Sequence, residues 1–412
     1  MAFKETPSRR KFLYSTGALA LAPMTLLGCR QTEPLRNSEE SLEEQPFFEL
    51  QAGLQTDGKT LIERKLGKTD ITVPIVGMGV MNADNPAVVQ ESYKMGVRFF
   101  DTARVYQEGR NEEMVGRVIN NLGIRNQVYI QTKARSLPIK LSTAEQRKQA
   151  LLGELDKSLA ALKMDYVDIF VLHSPMIDEM TDSAVKEALL EMKELKKARY
   201  IGVSQHQFQA EVLNTAVEEG IFDTATVSFN FTMAQDTELL NAVKNAAAAG
   251  LGIIAMKTQA GGVGGKAPAG PPVNQTAALK WVLRNPGITT AIPGYTNFDH
   301  MREDFSVAFN LNYTDVEKKF LSEKNLRASV QFCRQCENCR PSCPNGVDIP
   351  TLMRTHMYAA KYGNFVHARA TLNEIAENGG LKNCADCSFC SAKCANYVGI
   401  ADNIRDLKAM YL

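Results

Sequence analysis

Four side chains that can hold or move protons lie in the first half of the chain: Asp101, Tyr106, Lys133 and His173. Lys133 and His173 each end a run of apolar residues, where an unpaired polar group would be costly. A tyrosine hydroxyl is a weak acid near neutral pH, and a neighbouring ammonium group favours its ionised form. Asp101 would keep Lys133 charged and oriented. We therefore expect Tyr106 to exchange a proton with a substrate oxygen that His173 holds.

A second candidate site consists of cysteines. Eight of the nine cysteines fall between residues 333 and 394, and the spacing C-x2-C-x2-C-x3-C occurs there twice. The two runs are Cys333, Cys336, Cys339 and Cys343, and then Cys384, Cys387, Cys390 and Cys394. A disulfide framework would scatter its cysteines along the chain, so this clustering predicts bound metal.

The first run is followed by Pro344 and resembles the cysteine run of bacterial-type ferredoxins, whereas Ala395 follows the second run. The resemblance implies two 4Fe-4S clusters, with the fourth cysteine of each run bound to the other cluster. Zinc is the alternative, because C-x2-C pairs also bind that ion. Between the runs we predict helices at Leu352–Tyr362 and Val366–Glu377, which are too long for a compact ferredoxin. Residues 313–412 are therefore expected to form a small α-helical ferredoxin-like domain.

The elements that must position the proton-transfer residues alternate between short apolar strands and amphipathic helices, as in a parallel sheet covered by helices. Eight strands are predicted, at Ile75–Val80, Arg98–Ala103, Val128–Ala134, Tyr166–His173, Tyr200–Ser204, Thr226–Asn230, Gly252–Lys257 and Ile288–Gly294. Helices such as Ala144–Leu162 and Ser183–Lys197 lie between them. These units predict an α/β fold, a (β/α)8 TIM barrel over residues 59–312, with its chemistry at the carboxyl ends of the strands. A hairpin at Arg64–Ile71, turning at Gly67, is predicted to plug the barrel floor.

Three segments of the predicted barrel resemble the aldo-keto reductase family. They are Gly96–Ala103 with Tyr106, Asp168–His173 and Ile201–Ser204. The resemblance extends from Leu61 to Ala308, and a ferredoxin-like domain behind such a barrel resembles a ferredoxin-bearing branch of the family. It implies that the four residues named above are a catalytic tetrad, with Tyr106 as general acid/base. Hydride would then move between a carbonyl or alcohol and a nicotinamide cofactor.

The same resemblance places the cofactor, NADP or NAD, beside one set of residues: Ser204, Gln205, Asn230, Lys257, Gly294 and Glu303. Ser204 stands at the position that contacts the nicotinamide amide, but Gln205 replaces a usual asparagine. Gly294 and His300 occupy positions where lysine and arginine often hold the 2′-phosphate of NADP. Asp304 replaces another usual asparagine. The choice between NAD and NADP stays open.

The N-terminal residues 1–29 are predicted to be a targeting signal and not part of the fold. Ser8–Leu13 resembles a twin-arginine export signal, an apolar run follows at Ala18–Leu27, and the motif that ends at Cys29 resembles a bacterial lipobox. We therefore predict export by the twin-arginine route and a lipid on Cys29 that anchors the protein to the membrane on the periplasmic side. The polar, acidic residues 30–58 are predicted to be a linker.

Charge and motifs together predict an enzyme with a small-molecule substrate. Lysine and arginine number 47 and aspartate and glutamate 46, so the chain shows no basic excess of the kind that favours nucleic acid. The expected substrate is a carbonyl or an alcohol, and the clusters would relay electrons singly to a redox partner at the membrane. Because free nicotinamide cofactor is scarce outside the cytoplasm, it would be loaded before export and held tightly. The alternatives are a membrane-tethered electron-transfer module whose barrel is a binding scaffold, and clusters with a purely structural role.

Overall fold

The computed structural model describes residues 47–51, 57–261, 273–323, 326, 330–384, 387 and 389–412. The predicted export signal, the lipid attachment site and most of the acidic linker lie outside these residues. In the part of the chain that is described, every helix is too short or too polar to cross a membrane.

Within the described residues, eight parallel strands form a nearly closed barrel behind a hairpin of β1 (Glu63–Lys65) and β2 (Thr72–Pro74). The barrel strands are β3 (Met78–Gly79), β4 (Phe99–Asp101), β5 (Tyr129–Ala134), β6 (Val167–His173), β7 (Ala198–Gln205), β8 (Thr224–Ser228), β9 (Gly252–Met256) and β10 (Thr290–Ala291). Each strand pairs with the next one along the chain. Bridges from Val76 to Ala291 and from Gly79 to Gly294 join the first strand to the last. The predicted (β/α)8 barrel is confirmed.

The hairpin closes the amino-terminal end of the barrel. Leu66 and Ile71 are fully buried in one cluster with Phe99, the first residue of β4. Gly67 has a φ of +56°, and a β-carbon there would lie 2.4 Å from the backbone oxygen of Gly250. A larger residue would therefore displace the turn. The predicted plug is confirmed.

Nine α-helices of the described residues surround the strands. They are α1 (Pro86–Met95), α2 (Arg110–Leu122), α3 (Ala144–Leu162), α4 (Ile177–Thr181), α5 (Ser183–Glu194), α6 (Gln209–Glu219), α7 (Thr237–Ala248), α8 (Gln275–Leu283) and α9 (Phe298–Ser306). Helix α3 has the predicted bounds and begins with a capping box between Thr143 and Gln146. Helix α5 ends three residues before the predicted Lys197, because Lys196 turns into the left-handed region (φ 57°) ahead of β7.

Six strands end one to three residues away from the predicted carboxyl end, and two of these differences bear on the site. Strand β8 ends at Ser228 and not at Asn230, because the Asn230 side chain caps the turn that follows by accepting a hydrogen bond from the Thr232 backbone. The predicted strand Ile288–Gly294 pairs regularly only over Thr290–Ala291.

The C-terminal region is helical, as predicted. Its helices are α10 (Asp315–Leu321), α11 (Ile349–His356), α12 (Phe365–Leu372) and α13 (Ile400–Tyr411). A π-helical turn, Met357–Lys361, extends α11, so the two together cover most of the predicted Leu352–Tyr362. Helix α12 ends five residues before the predicted Glu377.

This region lies across the carboxyl ends of the barrel strands. Asn364, which caps α12, donates a hydrogen bond of 2.9 Å to the side-chain oxygen of Asn82 after β3. Glu374 forms an ion pair of 2.8 Å with Arg135, directly after β5. The cysteine-bearing region therefore covers the face where barrels of this kind hold their chemistry.

Candidate functional site

Three of the four predicted proton-transfer residues meet at one point. Lys133 in β5 forms an ion pair of 2.7 Å with Asp101 at the end of β4. Its ammonium nitrogen lies 3.3 Å from the hydroxyl oxygen of Tyr106. The amide of Gln131, which the sequence did not single out, donates to Asp101 at 2.6 Å and so orients the carboxylate. The strand ends thus hold the predicted Asp–Lys–Tyr relay without help from a ligand.

The pKa of Tyr106 contradicts one expectation. We expected Lys133 to lower it, but burial raises this pKa well above its ordinary value of 10, and Asp101 raises it further. The cost of placing a phenolate in this buried site, next to the carboxylate of Asp101, outweighs the effect expected of Lys133. Tyr106 is therefore protonated near neutral pH and can donate a proton.

His173, at the end of β6, is the fourth member of the site. Its ring stands edge-on to Tyr106, with 6.2 Å between the ring centroids. Burial lowers the pKa of His173 well below 6.5, and Arg135 and Lys133 lower it further, so the ring is neutral. Among the described residues its buried Nδ1 has no hydrogen-bond partner. A neutral imidazole can hold a substrate oxygen through one N–H group.

A cleft of about 170 Å³ begins beside Asp101 and Tyr106. Its walls include Lys257 after β9 and Gly294 after β10, and it reaches His300 in α9. The cleft thus runs from the proton-transfer residues to the segment where the resemblance places the adenosine part of a cofactor.

Ser204 offers an open contact for a cofactor near the tetrad. It pairs in register with His173 across β6 and β7. Within the described chain its buried hydroxyl has no hydrogen-bond partner. A buried unpaired hydroxyl is unfavourable, and a nicotinamide amide would satisfy it. This part of the site therefore fits the predicted cofactor.

Gln205 and Asn230 are engaged within the protein. The Gln205 amide donates to the backbone oxygen of Pro175 at 2.8 Å. Asn230 donates to the backbone oxygen of Lys257 at 3.1 Å, while its own side-chain oxygen accepts from Thr232. Both residues shape loops at the barrel mouth, and their direct contact with a cofactor stays a prediction.

The far end of the cleft carries little fixed charge. Gly294 and His300 line it, whereas Glu303 is exposed on α9 and does not. Asp304 is buried beneath it and accepts a hydrogen bond from Gln259, which is a lining residue. Burial raises the pKa of Asp304 to about 8, so this carboxyl is mostly neutral at pH 7.

Residues of the C-terminal region also reach this site, and the sequence did not predict them; His367 and Lys361 are two of these. The His367 ring stands edge-on to Tyr106, 5.3 Å between centroids, and is only 6% exposed. Lys361 lines the cleft together with the barrel residues. No local pattern marks either position, because only the packing of one domain on the other brings them there.

The cysteines form two groups, and each group combines cysteines from both runs. Burial raises the pKa of Cys333 to about 12, and its neighbours Cys394, Cys339 and Cys336 raise it further. Cys394, the fourth cysteine of the second run, therefore lies with the first three cysteines of the first run. The Cys333 thiol is therefore neutral in the absence of metal, so metal binding must release its proton.

The reciprocal group is built in the same way. Partial burial raises the pKa of Cys384, and among the neighbouring side chains Cys343 of the first run raises it most. Asn345 donates to the sulfur of Cys387 at 3.2 Å, and Asn396 donates to the sulfur of Cys336 at 3.5 Å. Each asparagine stands two residues after the fourth cysteine of one run and contacts the other run. This crossing is the arrangement of two-cluster ferredoxins.

The zinc alternative would require several side chains to converge on one ion. In the described part of the chain, which includes all eight cysteines of the two runs, no three His, Cys, Asp or Glu side chains converge as a single-ion site requires. Zinc–sulfur bonds of about 2.3 Å would hold the sulfurs within about 4 Å of one another. A four-iron cluster is larger and keeps its sulfurs farther apart.

Comparisons with known proteins agree with this geometry. The model of the aldo/keto reductase family matches residues 77–269, which include all four tetrad residues. A 4Fe-4S dicluster domain matches residues 332–398, which include the eight cysteines. The chain carries an aldo/keto reductase domain. Behind it lies a region similar to 4Fe-4S dicluster domains.

Curated relatives match between about a third and two thirds of this chain. The uncharacterized oxidoreductase YqkF of Bacillus subtilis is 24% identical over 63% of this chain and 95% of its own length. L-galactose dehydrogenase of Arabidopsis thaliana is 25% identical over 63% of this chain and 92% of its own. Methylglyoxal reductase DkgB of Yersinia pestis is 31% identical, but over 36% of this chain and 52% of its own length.

Solved structures confirm the barrel fold. The holo form of an aldo-keto reductase from Bacillus halodurans superposes with a TM-score of 0.52 and 19% identity, covering 64% of this chain and 97% of its own. An aldo/keto reductase from Klebsiella pneumoniae in complex with NADP and acetate gives a TM-score of 0.50 at 21% identity, over 64% of this chain and 94% of its own.

Proposed function

We propose that the protein is an exported, lipid-anchored oxidoreductase that moves hydride between a small carbonyl or alcohol substrate and bound NADP or NAD. The observation that carries this proposal is the placement of Lys133 behind Asp101 and Tyr106, which line one end of the cleft. It is 2.7 Å from Asp101 and 3.3 Å from the Tyr106 hydroxyl. That is the geometry of a proton relay that ends at a substrate oxygen.

Tyr106 is the proton donor in carbonyl reduction. The nicotinamide, when bound, supplies the hydride that forms the new C–H bond. The Tyr106 O–H bond breaks, and its proton goes to the substrate oxygen, which His173 holds by a hydrogen bond. Lys133 then stabilises the phenolate oxygen that remains. In alcohol oxidation the proton follows the reverse path.

Ser204 and the cleft support a nicotinamide cofactor. Ser204 has an unpaired buried hydroxyl beside the tetrad, where the amide of the cofactor would lie. His300 and Gly294 place no permanent cation at the far end, so we propose only a weak preference for the 2′-phosphate of NADP. The Klebsiella pneumoniae structure holds NADP in a barrel of the same fold.

We further propose two 4Fe-4S clusters that relay electrons singly to a redox partner at the membrane. Their ligands would be Cys333, Cys336, Cys339 and Cys394 for one, and Cys343, Cys384, Cys387 and Cys390 for the other. The crossed contacts of Asn345 and Asn396 support this division. A second cavity is lined by both Lys257 and Cys333, so the first group lies next to the cofactor cleft.

Export and anchoring rest on the N-terminal motifs. A twin-arginine signal suits a protein that folds around its cofactors before it crosses the membrane, and Cys29 would carry the lipid. The nicotinamide nucleotide would travel in the cleft and be recycled through the clusters.

The test is nucleotide binding by the anaerobically purified protein. We expect NADPH or NADH to bind with one site per chain, and denaturation of untreated protein to release nucleotide. Failure of both nucleotides to bind, with none released, would contradict the proposal and favour the electron-transfer module with a scaffold barrel. The observation that favours this second function is the position of His367, a residue of the cysteine domain whose ring covers Tyr106.

A further inference from the structure

The two lysines that line the cofactor cleft belong to different domains. Lys257 directly follows β9 of the barrel, whereas Lys361 ends the π-helical turn of the C-terminal region. Both face the same cleft as Tyr106 and His300. The cleft is therefore walled by the barrel on one side and by the cysteine-bearing region on another.

Neither lysine has a carboxylate partner. Within the described residues neither one forms an ion pair, and the one acidic residue that lines the cleft, Asp101, is already paired. The Lys257 nitrogen lies over the rings of Tyr358 and Tyr362, 4.8 and 5.6 Å from their centroids. Burial lowers the pKa of Lys257 to about 7 and also lowers that of Lys361. Two half-buried ammonium groups without an anion are unfavourable, and a bound anion would relieve this.

The position of Lys361 leaves donors for a ligand. A β-carbon built on Gly261 would lie 3.6 Å from the Cδ atom of Lys361, so the lysine stem runs along the backbone that follows β9. Its ammonium donates to the backbone oxygen of Val330 at 3.2 Å. That bond uses one of the three ammonium protons, and the other two remain for an anion in the cleft.

We infer that Lys361 is a nucleotide-binding residue supplied by the iron–sulfur domain, which together with Lys257 holds the diphosphate of the bound nicotinamide nucleotide. This inference rests on the proposed function, because it names a contact of the same cofactor. Two phosphates carry the negative charge that two ammonium groups match. The nucleotide would then bridge the two domains, which accords with tight retention after export.

The competing explanation is that these positive charges face a different anion. Lys257 and Lys361 also line the cavity that reaches Cys333, and they do so together with Arg354. In that case the positive charges would offset the negative charge of an iron–sulfur cluster. The two explanations differ in what a change at Lys361 alters: nucleotide affinity in one, and the reduction potential of the cluster in the other.

The experiment compares Lys361→Met with Lys382→Met, an exposed lysine of the same domain that does not line the cleft. NADPH, NADH and ADP are titrated into each anaerobically purified protein, and inorganic pyrophosphate is used as a competitor. We expect Lys361→Met to weaken all three by about 10- to 100-fold and to weaken pyrophosphate competition, since each charge-assisted hydrogen bond contributes on this scale. Lys361→Arg should keep most of the affinity, and Lys382→Met should match the wild type.

Footprinting keeps the inference testable if the methionine variant does not fold. In the wild type, bound ADP should protect Lys361 from an amine-reactive acyl reagent, while Lys382 stays reactive. Equal nucleotide affinity of Lys361→Met and the wild type, a shifted cluster potential alone, or no protection by ADP would each overturn the inference. If the wild type itself binds no nucleotide, the proposed function fails first, so the two failures are distinguishable.

Discussion

The two chemical sites of this molecule are held in place by different means. In the barrel, protein contacts alone fix the tetrad: Asp101 binds Lys133 at 2.7 Å, and Gln131 orients Asp101 at 2.6 Å. In the cysteine region the sulfurs receive few contacts, such as the 3.2 Å hydrogen bond from Asn345 to Cys387. Burial also keeps Cys333 and Cys384 protonated in the absence of metal.

Because the two sites are held in place by different means, we expect them to respond to different changes. The barrel site is preorganised before any ligand binds, so its chemistry should respond to single side chains and leave the fold intact. The cysteine region gains both its charge balance and its cross-links from the clusters, so its order should depend on iron. The predictions below test this contrast, from the largest expected effect to the smallest.

Tyr106→Phe should abolish turnover and leave the clusters unchanged. The variant removes the donated proton and keeps the buried ring, so we expect kcat/KM to fall by about 10²- to 10⁴-fold on any carbonyl that the wild type reduces. Iron content and the electron paramagnetic resonance signal of the reduced clusters should equal those of the wild type. Wild-type turnover in Tyr106→Phe would mean that the tetrad is not the site of proton transfer.

Replacing a single cysteine by serine should remove one cluster, and which cluster is lost should follow the crossed groups and not the runs. We expect Cys336→Ser and Cys394→Ser to lose the same cluster, and Cys343→Ser and Cys390→Ser to lose the other. Each variant should lose about four irons per chain, and the cluster that remains is identified by its resonance signal and potential. If Cys394→Ser instead behaves like Cys390→Ser, each run binds its own cluster and the crossing is wrong.

Nucleotide affinity should fall as pH rises. The pKa of Lys257 is about 7 in the free protein, so its positive charge is present below that pH and is lost above it. Affinity for ADP should therefore decrease by up to about tenfold per pH unit above 7. Isothermal titration between pH 6 and 8.5 measures the slope, and Lys257→Met should flatten it. A slope that persists in that variant would place the titrating group elsewhere.

The smallest expected effect concerns the packing beneath the cleft. Burial raises the pKa of Asp304 to about 8, above its ordinary 3.8, so the folded state binds a proton there that the unfolded state releases. Wild-type stability should therefore decline as pH rises from about 4 to 8. Asp304→Asn removes this titration and should unfold with a free energy about 1–3 kcal/mol higher than the wild type at pH 8.5, with little gain at pH 5. The exposed neighbour variant Glu303→Gln should show no such pH-dependent gain in denaturant unfolding.

Local patterns predicted most of the fold and both sets of chemical residues. The tetrad was predictable because each member ends or follows a strand, and parallel strand ends meet on one face. The cysteines were predictable because their ligand spacing is local. The strand bounds near Asn230 were missed, because a side-chain cap outweighs the apolar pattern there.

Features that depend on packing between the domains could not be predicted. Lys361 and His367 reach the barrel site only because α11 and α12 lie across its mouth. The pKa of Tyr106 was expected to fall and instead rises, because its burial depends on that same covering.

The most direct test of the central claim, that hydride chemistry in the barrel is connected to the clusters, is an anaerobic titration of the oxidised protein with NADPH and NADH. Electron paramagnetic resonance then records reduced 4Fe-4S clusters. We predict that bound nucleotide reduces at least one cluster, and that the group containing Cys333, which shares a cavity with Lys257, is reduced first. If nucleotide binds but the clusters stay oxidised at every ratio, while dithionite reduces them, the two sites are not connected and the clusters are structural.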